Sequence, residues 1–285
     1  MYELKSQQVT DYFATARERY KIYLRRCDGK SPPFSKDAAF VEWRFCNVFR
    51  ELDRVTKWIR NNVREPLRNN PKVYLAMVIC RLFNKIETLE VIREHGLFDL
   101  WDSNKAREVL KDLKPIVGAA YVVKTPDGMN KLDGVLHMVD TVAAMVDQVP
   151  SSIRHRSLKS AWKMLMNFPC IGKFMAYEIV SDLRHIYLLE NASDINTWAN
   201  AGPGACLGLS YLVNDSSTII RYGSKKTEDV ALHLMEELLY WSKVPEMWPV
   251  DWPRWEMREV EHWLCEYAKW YKVTHLGMRM KRRFN

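Results

Sequence analysis

Apolar residues recur at helical spacing along nearly the whole chain, and only one short stretch reads as strand. Tyr12, Phe13, Ala16, Tyr20 and Tyr23 share one side of a first helix that Thr10 caps and that runs to about Arg26. The breaker Gly29-Lys-Ser-Pro-Pro33 separates it from a second long helix, about Lys36 to Asn62. Asn70-Pro71 starts a third that continues through Glu94, and Ser103 opens another. Tyr121-Val-Val-Lys124 followed by Thr125-Pro-Asp-Gly128 predicts at most one short hairpin. Helical signal resumes over Leu132 to Val146, Ser152 to Met166 and Lys173 to Leu189. Irregular chain covers Glu190 to Ala201. A short helix follows Gly202-Pro-Gly-Ala205, and two more span Thr227 to Trp241 and Glu256 to Lys272. About ten helices with short connections predict an all-α, bilobal domain over residues 1–285. No repeat, low-complexity segment or flexible linker interrupts it.

Hydrophobic residues make up 47% of the 285, enough for a sizeable core, and 27% are charged. No apolar run approaches the roughly 18 to 20 residues of a spanning helix. Met1 to Gln8 is too polar for a signal peptide, so a cytoplasmic, membrane-free protein is expected. Cys27, Cys46, Cys80, Cys170, Cys206 and Cys265 form no C-x-x-C pair, which predicts buried free thiols and no zinc knuckle. A net charge of +8 favours a polyanionic partner. Part of that excess sits in the basic tail, residues 273–285, where Arg279, Lys281, Arg282 and Arg283 crowd together. Arg282 and Arg283 are candidates for phosphate contacts, with a solvated tail as the alternative.

Three constellations carry candidate chemistry. The first is Phe168-Pro-Cys-Ile-Gly-Lys173 between two helical segments, the pattern of a helix–hairpin–helix, within a region of about 152–205. Backbone N–H groups of Cys170, Ile171, Gly172 and Lys173 could hold a DNA phosphate without reading sequence. An ordinary loop between packed helices is the alternative.

The second begins with Asp194, 22 residues after Gly172, and runs through Gly202-Pro-Gly-Ala205. This arrangement resembles the helix–hairpin–helix DNA glycosylases, in which a carboxylate at about this distance faces a flipped-out sugar. Asp194 takes the carboxylate's place. Phe174 stands where bifunctional members carry a nucleophilic lysine, so the resemblance implies a monofunctional mechanism. An anion there would stabilise positive charge developing on the sugar. Gly202 and Gly204 could let the backbone approach phosphate or base, and Asn196 and Asn200 are pocket candidates. Alternatively Asp194 caps a turn and the glycines shape a loop.

The third is Phe40-Val-Glu-Trp-Arg-Phe-Cys-Asn-Val-Phe-Arg-Glu-Leu-Asp-Arg-Val-Thr56, read as an amphipathic helix. Phe45, Val48, Phe49, Leu52 and Val55 form its core face. Arg44, Asn47 and Arg50 lie in a polar band that suits a pocket wall, with a solvated salt-bridged face as the alternative.

Arg44-Phe-Cys-Asn-Val-Phe-Arg-Glu-Leu-Asp-Arg-Val55, Gly202-Pro-Gly-Ala205 and Val260-Glu-His-Trp-Leu-Cys-Glu-Tyr-Ala-Lys269 together resemble the alpha-glutamyl/putrescinyl thymine pyrophosphorylase-like proteins. Those are related to the helical domain attached to 5-hydroxymethyl-deoxyuridine DNA kinases. The resemblance runs from about residue 36 to the C-terminus, with a core of 36–272. It implies a DNA partner carrying modified bases, a flipped base with a bulky 5-substituent, and a phage connection. No G-x-x-x-x-G-K-[ST] loop occurs, so the kinase half of the fused proteins is not expected here. Glu261 and His262 are further candidates for the base pocket. No metal and no cofactor are expected, and a monomer is expected.

Three functions follow as expectations. The first is hydrolytic excision of a modified pyrimidine, with Asp194 as the catalytic carboxylate. The second is transfer at the 5-position, an amine displacing pyrophosphate, with arginines on the leaving phosphates. The third is a non-catalytic reader of modified DNA.

Overall fold

The computed structural model describes residues 2–145, 148–153, 156–214, 219–280 and 282–283, apart from the side chains of Val149 and Asn214. Met1, Val146, Arg154, His155 and Lys281, which enter the expectations above, lie outside the described residues. The all-α expectation holds: thirteen α-helices and no strand are found among the described residues. In chain order they are α1 (Ser6–Cys27), α2 (Ala38–Glu42), α3 (Arg54–Ile59), α4 (Val73–Phe83), α5 (Ile86–Glu94), α6 (Ser103–Leu110) and α7 (Lys131–Ala143). Then come α8 (Gln148–Ile153), α9 (Leu158–Leu165), α10 (Lys173–Leu183), α11 (Pro203–Asn214), α12 (Lys225–Trp241) and α13 (Met257–Leu276). None is long and apolar enough to cross a membrane.

The chain divides into two compact units. One joins Met1–Asp53 to Asn196–Asn285, and the other is Arg54–Ile195. The first is organised on α13, whose closest partner is α11. That approach depends on small residues: a Cβ on Gly208 would meet the Leu264 carbonyl oxygen at 2.4 Å, and one on Gly204 would meet Cys265 Sγ at 2.8 Å. Removing two side chains one turn apart lets the backbones touch. α1 covers another side of α13. Tyr12 Oη donates to the Val260 carbonyl (3.1 Å), and Trp263 Nε1 donates to the Tyr12 carbonyl (3.1 Å). Phe13 and Tyr267 pack edge-on against Tyr12, the arrangement aromatic quadrupoles favour, and Trp255 packs tilted against Tyr12 and Phe13.

The second unit is built on α4, which is buried along its whole length and apolar on nearly every side. It packs against α7 and α10. Its one charge, Arg81, pairs with buried Asp182 on α10 (Nη2 to Oδ1 2.7 Å), and Arg64 Nη1 lies 3.5 Å from the same oxygen.

Several elements depart from the sequence expectations for local reasons. Thr10 lies inside α1 rather than capping it; its hydroxyl bonds back to the Ser6 carbonyl (3.0 Å) and the helix starts a turn earlier. The helix expected over Lys36 to Asn62 is broken. α2 ends at Trp43, which is extended (φ −117, ψ 150), and regular helix returns only at α3, after a 3₁₀ turn at Arg50–Leu52. Aromatic and β-branched side chains at 43, 45, 48 and 49 have poor helix propensity and are all buried. In extended chain Trp43 and Phe45 point the same way, as residues two apart must. The helix expected over Asn70 to Glu94 is split by Asn84, which adopts a left-handed conformation (φ 44, ψ 38) between α4 and α5. These breaks raise the count above ten. No ladder forms over 121–128; Val122 is 94% exposed there and packs against nothing that would hold a strand. α10 ends at Leu183, six residues early, in a run of turns.

Candidate functional site

The polar residues of the first unit converge on one face of α13. His262, Cys265, Glu266 and Lys269 recur at three- and four-residue spacing and therefore line one side of the helix. The turn that replaces the predicted helix folds against this side. Asp53 Oδ1 accepts from both the main-chain N–H (3.0 Å) and the side-chain Nδ2 (2.9 Å) of Asn47. Nδ2 also donates to the Leu52 carbonyl (3.1 Å). This closes a seven-residue loop, 47–53, and fixes the Asn47 carbonyl, which lies 3.1 Å from His262 Nε2. Asp53 Oδ2 is 3.9 Å from the same nitrogen. Next along α13, Glu266 Oε2 accepts the Cys46 amide (3.0 Å), and Lys269 closes on the other oxygen. Buried Arg19 reaches over from α1 and donates through Nε and Nη2 to the Phe45 carbonyl (3.4 and 3.3 Å). Its Nη1 finds no hydrogen-bond partner among the described residues.

Burial sets the charge states. It pushes the His262 imidazole below its ordinary range, against the pull of Asp53 and Glu266, so the ring is neutral near pH 7. Burial also pushes the Cys46 thiol well up, with Glu266 and Asp53 adding to the effect. For Glu266 burial acts upward, but Lys269, His262 and the Cys46 amide outweigh it and hold the carboxylate ionised. The result is a partly exposed cluster of carboxylate, neutral imidazole and thiol, backed by the ion pair of buried Glu266 with half-exposed Lys269. It can donate and accept hydrogen bonds toward a polar ligand, and its Cys46, Asp53 and His262 could hold a metal ion.

The sequence-predicted residues divide between the units. Asn47 and His262 come together in the cluster. Arg50 is buried on the neighbouring 3₁₀ turn, whereas Arg44 is exposed. Glu261 faces the start of α11 and accepts the Gly202 amide (3.3 Å). Asn196 is exposed in a turn and Asn200 is partly buried. Gly204, expected to approach phosphate or base, instead faces Cys265 as described above, because α11 and α13 need the space. Arg282 and Arg283 pair back onto the chain. The Arg282 carbonyl accepts the Arg44 amide (3.2 Å), Arg283 bridges Trp43, and its guanidinium lies over the Trp43 ring.

In the second unit α9 and α10 flank the turn at Phe168–Lys173. Gly172 is the N-cap of α10, Ile171 is buried, Cys170 has a left-handed backbone (φ 60), and Lys173 is exposed. Asp194, expected to face a deoxyribose, is committed elsewhere. Its two oxygens accept the amides of Leu158 (2.6 Å) and Lys159 (3.0 Å) at the start of α9. Two of the otherwise unpaired N–H groups of that helix end are thereby satisfied, which is the capping alternative. Asp53, Cys46 and Arg19 were missed by sequence reasoning. The Asn47/Asp53 pair could have been read as a loop staple had the segment not been taken for a helix.

An all-helical domain with a polar cluster on its C-terminal helix is the class that fold and site define. The chain belongs to the family of the helical domain of 5-hmdU DNA kinases, whose model matches residues 6–280. It is 25% identical over 297 residues to the 5-hmdU DNA kinase of Bacillus phage SP10, a match that covers 93% of this chain. The chain spans 45% of that relative's length. No solved structure matches it. The family shown is thus the kinase helical domain, to which the sequence resemblance points as a relative; the match does not reach the finer resemblance to pyrophosphorylase-like proteins. A kinase relative also corrects the functional expectations. Base excision cleaves the glycosidic bond, and amine transfer displaces pyrophosphate from the 5-methylene. A kinase forms a phosphate ester and leaves both bonds intact. Monofunctional glycosylase activity and pyrophosphate-replacing transfer give way to that finding.

Proposed function

We propose that this chain supplies the DNA-engaging part of a system that phosphorylates 5-hydroxymethyluracil in DNA. The observation that carries this reading is the family match over nearly the whole chain, residues 6–280. The net charge of +8 supports a polyanionic substrate. In this reading the base leaves the stack, and the polar cluster of the first unit receives its hydroxymethyl group. Thymine differs from 5-hydroxymethyluracil by one hydroxyl, which both donates and accepts. The Asn47 loop, Asp53 and neutral His262 supply donors and acceptors for it at a partly exposed position. The phosphoryl donor is assigned to the rest of a phosphorylating assembly, corresponding to the part of the relative that this chain does not span.

The test is binding of the full chain to matched duplexes carrying thymine or 5-hydroxymethyluracil, followed by fluorescence anisotropy. One added hydrogen bond predicts a preference of roughly 2- to 10-fold for the hydroxymethylated duplex. His262→Ala should abolish that preference and leave thymine-DNA affinity within about 2-fold, since phosphate contacts are untouched. Equal affinity of the unaltered chain for both duplexes would sink the reading.

A further inference from the structure

We propose that Cys46, Asp53 and His262 bind one zinc ion or a similar borderline-soft divalent metal. Their ligand atoms (a thiol sulfur, a carboxylate oxygen and an imidazole nitrogen) all lie within 4.8 Å of one another. Zinc takes this donor set. Its bonds of about 2.0–2.3 Å place tetrahedral donors roughly 3.3–3.7 Å apart, so an ion need draw the three side chains together by about 1 Å.

Each ligand already has the support that metal ligands need from their surroundings. His262 sits in the second turn of the twenty-residue α13, a rigid mount. Asp53 Oδ1 accepts from Asn47, which fixes the carboxylate and leaves Oδ2 on the His262 side, 3.9 Å from Nε2. Cys46 is anchored through its own amide to Glu266 on the same helix (3.0 Å). The side chains of His262 and Asp53 remain 21% and 26% exposed, so an ion can enter and a fourth ligand can come from solvent. Three protein ligands with one open position is the coordination of a zinc that handles an oxygen atom and not merely a structural clip. Charge balances when the thiol proton leaves to solvent: a thiolate and a carboxylate neutralise the dication. The site shares His262 and Asp53 with the DNA reading, and metal titration without DNA makes the failure of one distinguishable from the failure of the other.

The full chain, dialysed against chelator under reducing conditions, is titrated with Co²⁺ and then Zn²⁺. The expected result is one Co²⁺ per chain with a thiolate-to-cobalt charge-transfer absorption, displaced by Zn²⁺, and a Tm that rises on Zn²⁺ addition. Cys46→Ser should remove the charge-transfer band. Asn47→Ala, which releases Asp53, should weaken binding roughly 10- to 100-fold. Cys27→Ser, at an exposed cysteine of α1, should leave both unchanged. Absence of stoichiometric binding, or a band that survives Cys46→Ser, overturns the proposal. Cys46→Ser exchanges a single atom in a partly exposed turn. Circular dichroism of that variant separates loss of ligand from loss of fold.

Discussion

Glu259 lies buried in the first turn of α13, where it closes a capping box with Glu256, and its Oε1 is 3.7 Å from Arg258 Nη1. Burial outweighs Arg258 and lifts its pKa from 4.5 to about 7. Between those pH values the folded chain keeps a proton that the unfolded chain releases. The stability from this group is therefore fully present below about pH 4.5 and is lost as pH rises through about 7. Glu259→Gln keeps an acceptor for the Glu256 amide and carries no charge. The variant should gain on the unaltered protein by about 3 kcal/mol between pH 4.5 and 8, as read by urea unfolding at both ends. Parallel pH profiles would refute this. At Asp194 the prediction is a lost cap. Asp194→Ala should destabilise the chain by about 1–2 kcal/mol, with Asp194→Asn recovering part of it through its remaining acceptor. The sequence shows that this carboxylate stands in irregular chain, where it is free to cap. It does not show the target, because the amides it accepts lie 35 and 36 residues earlier in the chain.

Elements obeyed the sequence most closely where burial follows one stripe. α1 and α12 carry one apolar stripe, the signal helical periodicity reads, and the central α13 keeps helical periodicity although it is covered on several sides. The segment around residues 43–53 buries Trp43, Phe45, Val48 and Phe49 together, so the same residues fit a helical wheel and an extended chain equally well. Its outcome was decided by Asp53 holding Asn47, a local staple hidden by the helical reading, and by the tail at Arg282–Arg283, a contact that no local pattern encodes. Half of the polar cluster was legible for that reason: His262 and its neighbours follow α13, whereas Cys46 and Asp53 depend on the broken helix. The glycines of α11 were legible as residue types and misread as to purpose. Gly208→Ala should cost about 2 kcal/mol or more, because the new methyl meets a main-chain carbonyl that cannot rotate away. Gly204→Ala should cost less, since its nearest neighbour is the tip of Cys265. Thermal unfolding of the two single variants ranks them, and an equal or reversed order would mean that α11 and α13 adjust by sliding.

At the scale of the whole molecule, the proposed function predicts that charge and site make separable contributions to DNA binding. In that proposal an excess of eight positive charges would act on any duplex through its phosphates and carry no information about the base. The cluster on α13 would act on one nucleotide through short hydrogen bonds, which salt screens less than it does phosphate contacts. Raising salt from 50 to 200 mM should therefore weaken binding to thymine and 5-hydroxymethyluracil duplexes alike, roughly 10²–10³-fold for about five phosphate contacts. The ratio between the two affinities should stay constant within about 2-fold over the same range. If the ratio collapsed with salt, the preference would come from phosphate geometry altered by the modified base, and the cluster would have no part in it. If affinity hardly moved with salt while the ratio held, the positive charge would be facing away from DNA. In the first case His262→Ala would not alter the ratio at any salt concentration, and in the second it would.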